Sequence, residues 1–457
     1  MRITSGMTAR NPSGLTREIL RLTLPNIISN ITVPLIGMVD VALMGHLNDS
    51  IFLAAVALAN VLFNLLFMSF SFLRMSTTGY TAQAYGARNH QEIAVVLQRA
   101  LLVALSIAGL LLVLQSPLAK IGFGVLEGEA ATKHLARTYY NIRIWSAPAS
   151  LTTYVMMGWF VGMQNTRYPM FISIVVNLLN ITFSVFFVRI LQMDVQGVAL
   201  GTVLAEYMGL LLAFLLFKNK YKKLFVRIPI SILLQKEKLV SFFAINANLF
   251  IRSLILIGSL SLFTSRAASL GNETLAVNSI LMQYFFVFSY FLDGFAYAAE
   301  ALTGKYAGSK NTQLFVLTVR YIFRWGWGLS CMFSIAFFFG FKGMTNLLTN
   351  NEELLILAID YRYWMAAVPI ASFAAFLWDG IFVGTLSAKY MRKAMVIAGL
   401  FIFLPAVYLL KPVLANHGLW IAFLLFMSGR SVAMWIYSAK LYKSNGIGYQ
   451  KNMQQAI

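Results

Sequence analysis

Long apolar blocks fill the chain, separated by short polar breaks. Twelve of them reach about the length that a helix needs to cross a bilayer core. They fall at about 15–43, 51–77, 91–117, 134–157, 168–189, 195–217, 239–266, 274–304, 314–340, 354–384, 390–411 and 417–439. Polar residues inside several blocks recur at steps of three and four, the spacing of one helix face. The pattern predicts an all-α polytopic membrane protein of twelve transmembrane helices. A cleaved signal peptide is not expected, because the first block is too long and lacks a small-residue cleavage site.

Composition agrees with this reading. Of 457 residues, 59% are hydrophobic and 11% charged, against roughly a quarter charged in soluble domains. The net charge of +20 raises the question of nucleic acid, and the location of the bases answers it. They concentrate in alternate loops, most densely in KNKYKKLFVRIPISILLQKEK at 218–238, whereas the first loop of the opposite set, GHLNDS, has none. That asymmetry is the positive-inside pattern, and it predicts that both termini are cytoplasmic. The bases thus mark topology and contact with anionic lipid, and no nucleic-acid partner is expected.

Chemistry for an enzyme is missing. The sequence has no GxxxxGK[ST], GxSxG or HExxH motif, and its four histidines fall at loops and helix ends, too scattered for a metal site. The single cysteine, Cys331, excludes an intrachain disulfide and a cysteine-based metal site. No cofactor is expected, so transport would draw on an ion gradient.

The basic segment divides the blocks six and six. This predicts a first half at 1–217, a linker at 218–238 and a second half at 239–457. Shifting one half by about 222 positions aligns AYGARNHQE (84–92) with YAGSKNTQL (306–314), and GWFVGMQNTRY (158–168) with GIFVGTLSAKY (380–390). Each half holds an even number of spans, so the repeats are parallel and predict two pseudo-symmetric six-helix lobes. Small-residue pairs alone would only pack helices; a register shared by two separate blocks points to duplication.

Carboxylates and arginines within the spans are costly and are usually functional. Asp40 shares a helix face with Asn26, Asn30, Val33 and Gly37, a stripe too polar for lipid. The fifth span carries Ser173, Asn177, Asn180 and Ser184 on one face, and the sixth carries Thr202, Glu206 and Gly209. Together these stripes predict a polar pocket around Asp40. Burial disfavours the charged form of a carboxylate, so Asp40 could load a proton on one side and release it on the other. Pro25 and Pro34, in the same helix, each remove a backbone hydrogen bond and are candidate hinges. In the second half, Ser289, Asp293, Tyr297, Glu300 and Gly304 form one face, and Arg252 and Asp379 are further deep charges. Arg252 is expected to pair with Asp293 or Glu300.

The patterns PLIGMVDVALMGHL (34–47) and FLRMSTTGYTAQAYG (72–86), with FLDGFAYAAEALTGKYAG (291–308) and WDGIFVGTLSAKY (378–390), resemble the multidrug and toxic compound extrusion family. They are most similar to its DNA-damage-inducible-F-like branch. The resemblance covers nearly the whole chain. It implies twelve helices in two lobes, exporting organic, often cationic or amphipathic compounds in exchange for protons or sodium. It also implies the coupling acid at Asp40, the bend proline at Pro25, the fifth-helix polar pattern at Asn177 and Asn180, and the sixth-helix hydroxyl at Thr202. Family members often carry an aspartate where this chain has Ser184. Losing that carboxylate weakens a sodium site, so proton coupling is favoured and sodium is the alternative. The competing reading is a flippase for lipid-linked saccharides, which needs several deep bases; here the deep acids at least match the deep arginines. The expected setting is the bacterial cytoplasmic membrane, with small organic substrates and the lipid bilayer as partners and a monomeric chain.

Overall fold

The computed structural model describes residues 12–45, 50–126, 129–224, 226–346, 348 and 351–444, although the side chains of 12, 13, 33–45, 50, 68 and 444 lie outside that description. Among the described residues there is no strand. The first half holds α1 (Pro12–Gly45), α2 (Ser50–Ser69 continuing in Phe72–Gly86), α3 (His90–Val113), α4 (Ala130–Arg143 continuing in Ala147–Gly162), α5 (Arg167–Val185) and α6 (Val195–Tyr221). The second half holds α7 (Lys236–Ala268), α8 (Asn272–Gly308), α9 (Thr312–Phe339) and α10 (Glu352–Ile359 continuing in Arg362–Gly384). It closes with α11 (388–414) and α12 (416–444), which part at Ala415, where φ is 48° and ψ −124°. The apolar blocks of the sequence thus become twelve membrane-spanning helices, six in each half.

The repeat seen in the sequence recurs in the atomic contacts of each half. A Cβ on Gly158 of α4 would collide with the Arg74 carbonyl of α2, and one on Gly380 of α10 would collide with the Ala296 carbonyl of α8. One helical turn on, Gly162 lies against Thr78 and Thr81, and Gly384 against Glu300 and Thr303. Every pair is related by the same shift in numbering. Small residues let helix backbones approach this closely, so the GxxxG pairs at 158–162 and 380–384 set the same packing twice.

Matching turns follow. Arg88 (φ 55°) and Lys310 (φ 53°) take the left-handed conformation between the second and third helices of their halves. The next residue caps the following helix in each case: the Asn89 side chain accepts from the Glu92 N–H, and that of Asn311 from the Leu314 N–H, both at 2.9 Å. Caps of this kind satisfy backbone donors that a helix start leaves open. After the GxxxG segments, Gln164 (φ 62°) and Leu386 (φ 55°) make another matching pair.

By contacts the chain forms two compact units, one of residues 1–27 with 243–457 and the other of 28–242. This division departs from the sequence halves at two places. The start of α1 belongs with the second half, because Ile27 and Thr23 fill the space beside Gly294 of α8. Glu18 also accepts a hydrogen bond from Lys305 at 2.7 Å and from the Tyr306 hydroxyl at 3.2 Å. The linker belongs with the first half. Arg99 of α3 donates to the Leu233 and Ile232 carbonyls, each at 3.1 Å, and the Tyr80 and Ser241 hydroxyls lie 3.1 Å apart.

Candidate functional site

In the first half, α5 and α6 meet at glycines. Gly201 of α6 comes against the Ser184 backbone and hydroxyl, and Gly209 against Val176. That close approach brings the polar faces of the two helices together. Asn180 Nδ2 donates to Thr202 Oγ1 at 2.9 Å, and the Thr202 hydroxyl is spent on the Val198 carbonyl at 2.9 Å. Asn177 Nδ2 donates to Thr32 Oγ1 of α1 at 2.8 Å. Asn180 and Ser184 are 3% and 0% exposed, yet among the described residues nothing bonds Asn180 Oδ1 or the Ser184 hydroxyl. Two buried oxygens in such a state are costly unless water, a proton donor or a cation meets them. Immediately beyond Ser184 and Val185, α5 widens into a π-helical turn at Phe186–Ile190, a distortion that is frequent at functional sites.

Asn180 thus meets Thr202, with Asn177 and Ser184 one turn to either side of it on α5. Asn26 Nδ2 donates to the Leu22 carbonyl of its own helix at 2.8 Å. Asn30 is half-buried and Pro25 buried. The side chains of Val33, Pro34, Gly37 and Asp40 lie outside the described residues. Glu206, one turn beyond Thr202, lies toward α4 instead, with the Ser150 side chain near it and Arg143 acting on it through space.

In the second half the charges pair differently from the expectation. Arg252 of α7 makes its ion pair with Asp379 of α10, at Oδ2, and not with Asp293 or Glu300. Arg430 of α12 reaches the same oxygen at 2.9 Å. Periodicity identifies the polar face of α8, but only packing decides which helix an arginine from α7 can reach. Arg430 is 1% exposed, and its guanidinium lies 5.9 Å and 5.7 Å from the rings of Phe376 and Phe426. Asp293 is half-buried and acts on Arg430 electrostatically, while Glu300 is buried on the α10-facing side of α8.

The MatE family profile matches residues 25–186 and 249–409, so it finds one copy in each half. DNA damage-inducible protein F of Escherichia coli (strain K12) is 36% identical over 418 residues, covering 92% of this chain and 91% of its own length. The chain belongs to the multidrug and toxic compound extrusion family, in the DNA-damage-inducible-F-like branch. A probable multidrug resistance protein, NorM of Thermotoga maritima, is 26% identical over 330 residues, covering 70% of this chain and 68% of its own. Among solved structures, the Vibrio cholerae MATE transporter VcmN in the bent form superposes with a TM-score of 0.85 at 17% identity. That match covers 96% of this chain and 99% of the other, and it carries the fold alone. This MATE chain is therefore a multi-pass membrane transporter, and its relatives are transporters, not enzymes.

Two parts of the charge network in this MATE chain escaped the sequence reading. The pairing of Arg430 is one, because nothing local in the sequence ties it to Asp379, 51 positions earlier. Arg143, at the end of the first segment of α4, is half-buried and tied to neighbouring side chains. Its Nη1 donates to Asn60 Oδ1 at 2.5 Å and to the Tyr139 hydroxyl at 2.8 Å.

Proposed function

We infer that this transporter is a proton-coupled antiporter, exporting organic, often cationic or amphipathic compounds across the bacterial cytoplasmic membrane. Asp40 is its coupling carboxylate. The observation that carries this reading is the pair of buried oxygens on Asn180 and Ser184, beside Thr202, that have no hydrogen-bond partner among the described residues. A protonated carboxyl donates a hydrogen bond to such an oxygen and is comfortable in a dry pocket. The ionised form costs several kcal/mol more to keep dry, so it favours a hydrated or cation-occupied state. Opposite preferences in two states are what couple a gradient to transport. Sodium is the weaker alternative, because Ser184 supplies a neutral oxygen where a carboxylate would help to bind a hard cation. Multidrug resistance in the names of relatives supports the substrate class.

The test uses proteoliposomes with proton and sodium gradients imposed separately. The wild-type chain should export an organic cation under the proton gradient alone. Asp40→Asn, a mimic of the neutral form, should lose gradient-driven export while folding and inserting normally. Wild-type export by Asp40→Asn, or export by the wild type under sodium only, would overturn proton coupling at this residue.

A further inference from the structure

A second polar cluster in the first half lies apart from the oxygens of Asn180, Ser184 and Thr202. It is built by α2, α4 and α6, and Glu206 is the one carboxylate described in it. On α4, Arg143 is a base that acts on it through space, but its guanidinium is already engaged. Nη1 holds Asn60 of α2 and Tyr139 of α4, and the plane lies 4.8 Å from the Phe63 ring of α2 and 5.6 Å from that of Tyr139. Among the described residues Arg143 makes no ion pair with Glu206 and acts on it only through space, and the other side chain near the carboxylate is the neutral Ser150. Glu206 lies near the middle of α6, eleven residues beyond Val195, hence about 16 Å along the helix and close to the membrane midplane. A carboxylate at that depth without an ion-pair partner must face a water-filled cavity, carry a proton or bind a cation.

We propose that Glu206 holds an exchangeable positive charge during transport, as a second carboxylate of the first lobe besides Asp40. The charge is either a proton or the cationic group of the exported compound. Arg143, locked by Asn60, Tyr139 and Phe63, is a positioning residue: its fixed positive field shapes the site without filling it. Thr202 and Glu206 sit one turn apart on α6, so the helix that closes the oxygen site also carries the second carboxylate. This inference rests on the antiport reading, and its test leaves Asp40 intact so that the two fail separately.

The experiment compares wild type, Glu206→Gln and Glu206→Asp in proteoliposomes under a proton gradient, with a permanent organic cation and with a neutral amphipathic compound. Transport is followed from pH 5.5 to 8.5. If the substrate supplies the charge, Glu206→Gln should raise KM for the cation roughly tenfold or more, leave the neutral compound unchanged, and leave the pH profile in place. If a proton supplies it, Glu206→Gln should move the pH profile of both compounds alike and lower the number of protons exchanged per molecule. In either case Glu206→Asp should restore part of the wild-type behaviour. Equal loss for both compounds with an unmoved pH profile, or no change at all, would show that Glu206 is structural and overturn the proposal. Loss of gradient-driven export in Asp40→Asn with these effects absent from Glu206→Gln would leave the antiport reading standing alone.

Discussion

Asp379 shows how much one side chain can carry in a bilayer. It answers two arginines from two other helices through a single oxygen, and Arg430 has almost no surface left through which water could replace it. Removing one partner of a buried ion pair costs more than the pair contributes, because an uncompensated charge stays behind. Asp379→Ala should therefore destabilise the chain by about 3–5 kcal/mol, read as a lower midpoint of thermal unfolding in detergent. Replacing the triad together, Arg252→Met with Asp379→Leu and Arg430→Met, should recover much of that loss. A single Asp379→Ala variant as stable as wild type would show that the triad adds nothing to the fold. Asn180 and Ser184 pose the opposite case: their oxygens are buried and, among the described residues, unanswered, a cost that a structural role alone does not explain.

At the scale of elements, the duplicated parts behave as equivalent pieces. Asn89 and Asn311 follow left-handed residues and cap α3 and α9 with the same geometry. Truncating an N-cap asparagine typically costs about 1 kcal/mol. Asn89→Ala and Asn311→Ala should each lower stability by that order and by similar amounts, checked by thermal unfolding of the purified variants. A large loss for one and none for the other would break the equivalence. The motifs that align in sequence are those that form these turns and the glycine contacts of α2 with α4 and of α8 with α10. The α1 helix is the exception to simple halves. It crosses from one compact unit to the other between Ile27 and Ile28, two residues beyond Pro25, where a proline has removed a helix hydrogen bond.

For the whole molecule, the distribution of basic residues makes a topological statement that can be checked directly. Cys331 is the one cysteine, so Cys331→Ser provides a cysteine-free background. Cysteines placed there at Arg88 or Lys310, in the matching turns, should react with a membrane-impermeant maleimide only after the cytoplasmic side is opened. One placed at Asp194, before α6, should react in intact cells. The reverse pattern would invert the assigned orientation. Much of this protein was legible from sequence alone. The number of spans, their approximate bounds, the repeat and the polar faces of α5 and α6 follow from hydrophobicity and helical period, because a bilayer forces backbone groups to be satisfied within each helix. The meeting of Asn180 with Thr202 follows the same logic, since short polar stripes on adjacent helices have few places to go. What only the tertiary structure decided were the partners across the chain. Arg252 meets Asp379, Arg430 joins them, and Arg143 is spent on Asn60 and Tyr139, so that Glu206 has no ion pair among the described residues. Periodicity fixes the face on which a side chain stands; the neighbour it meets is set by glycine-controlled approach between helices distant in sequence.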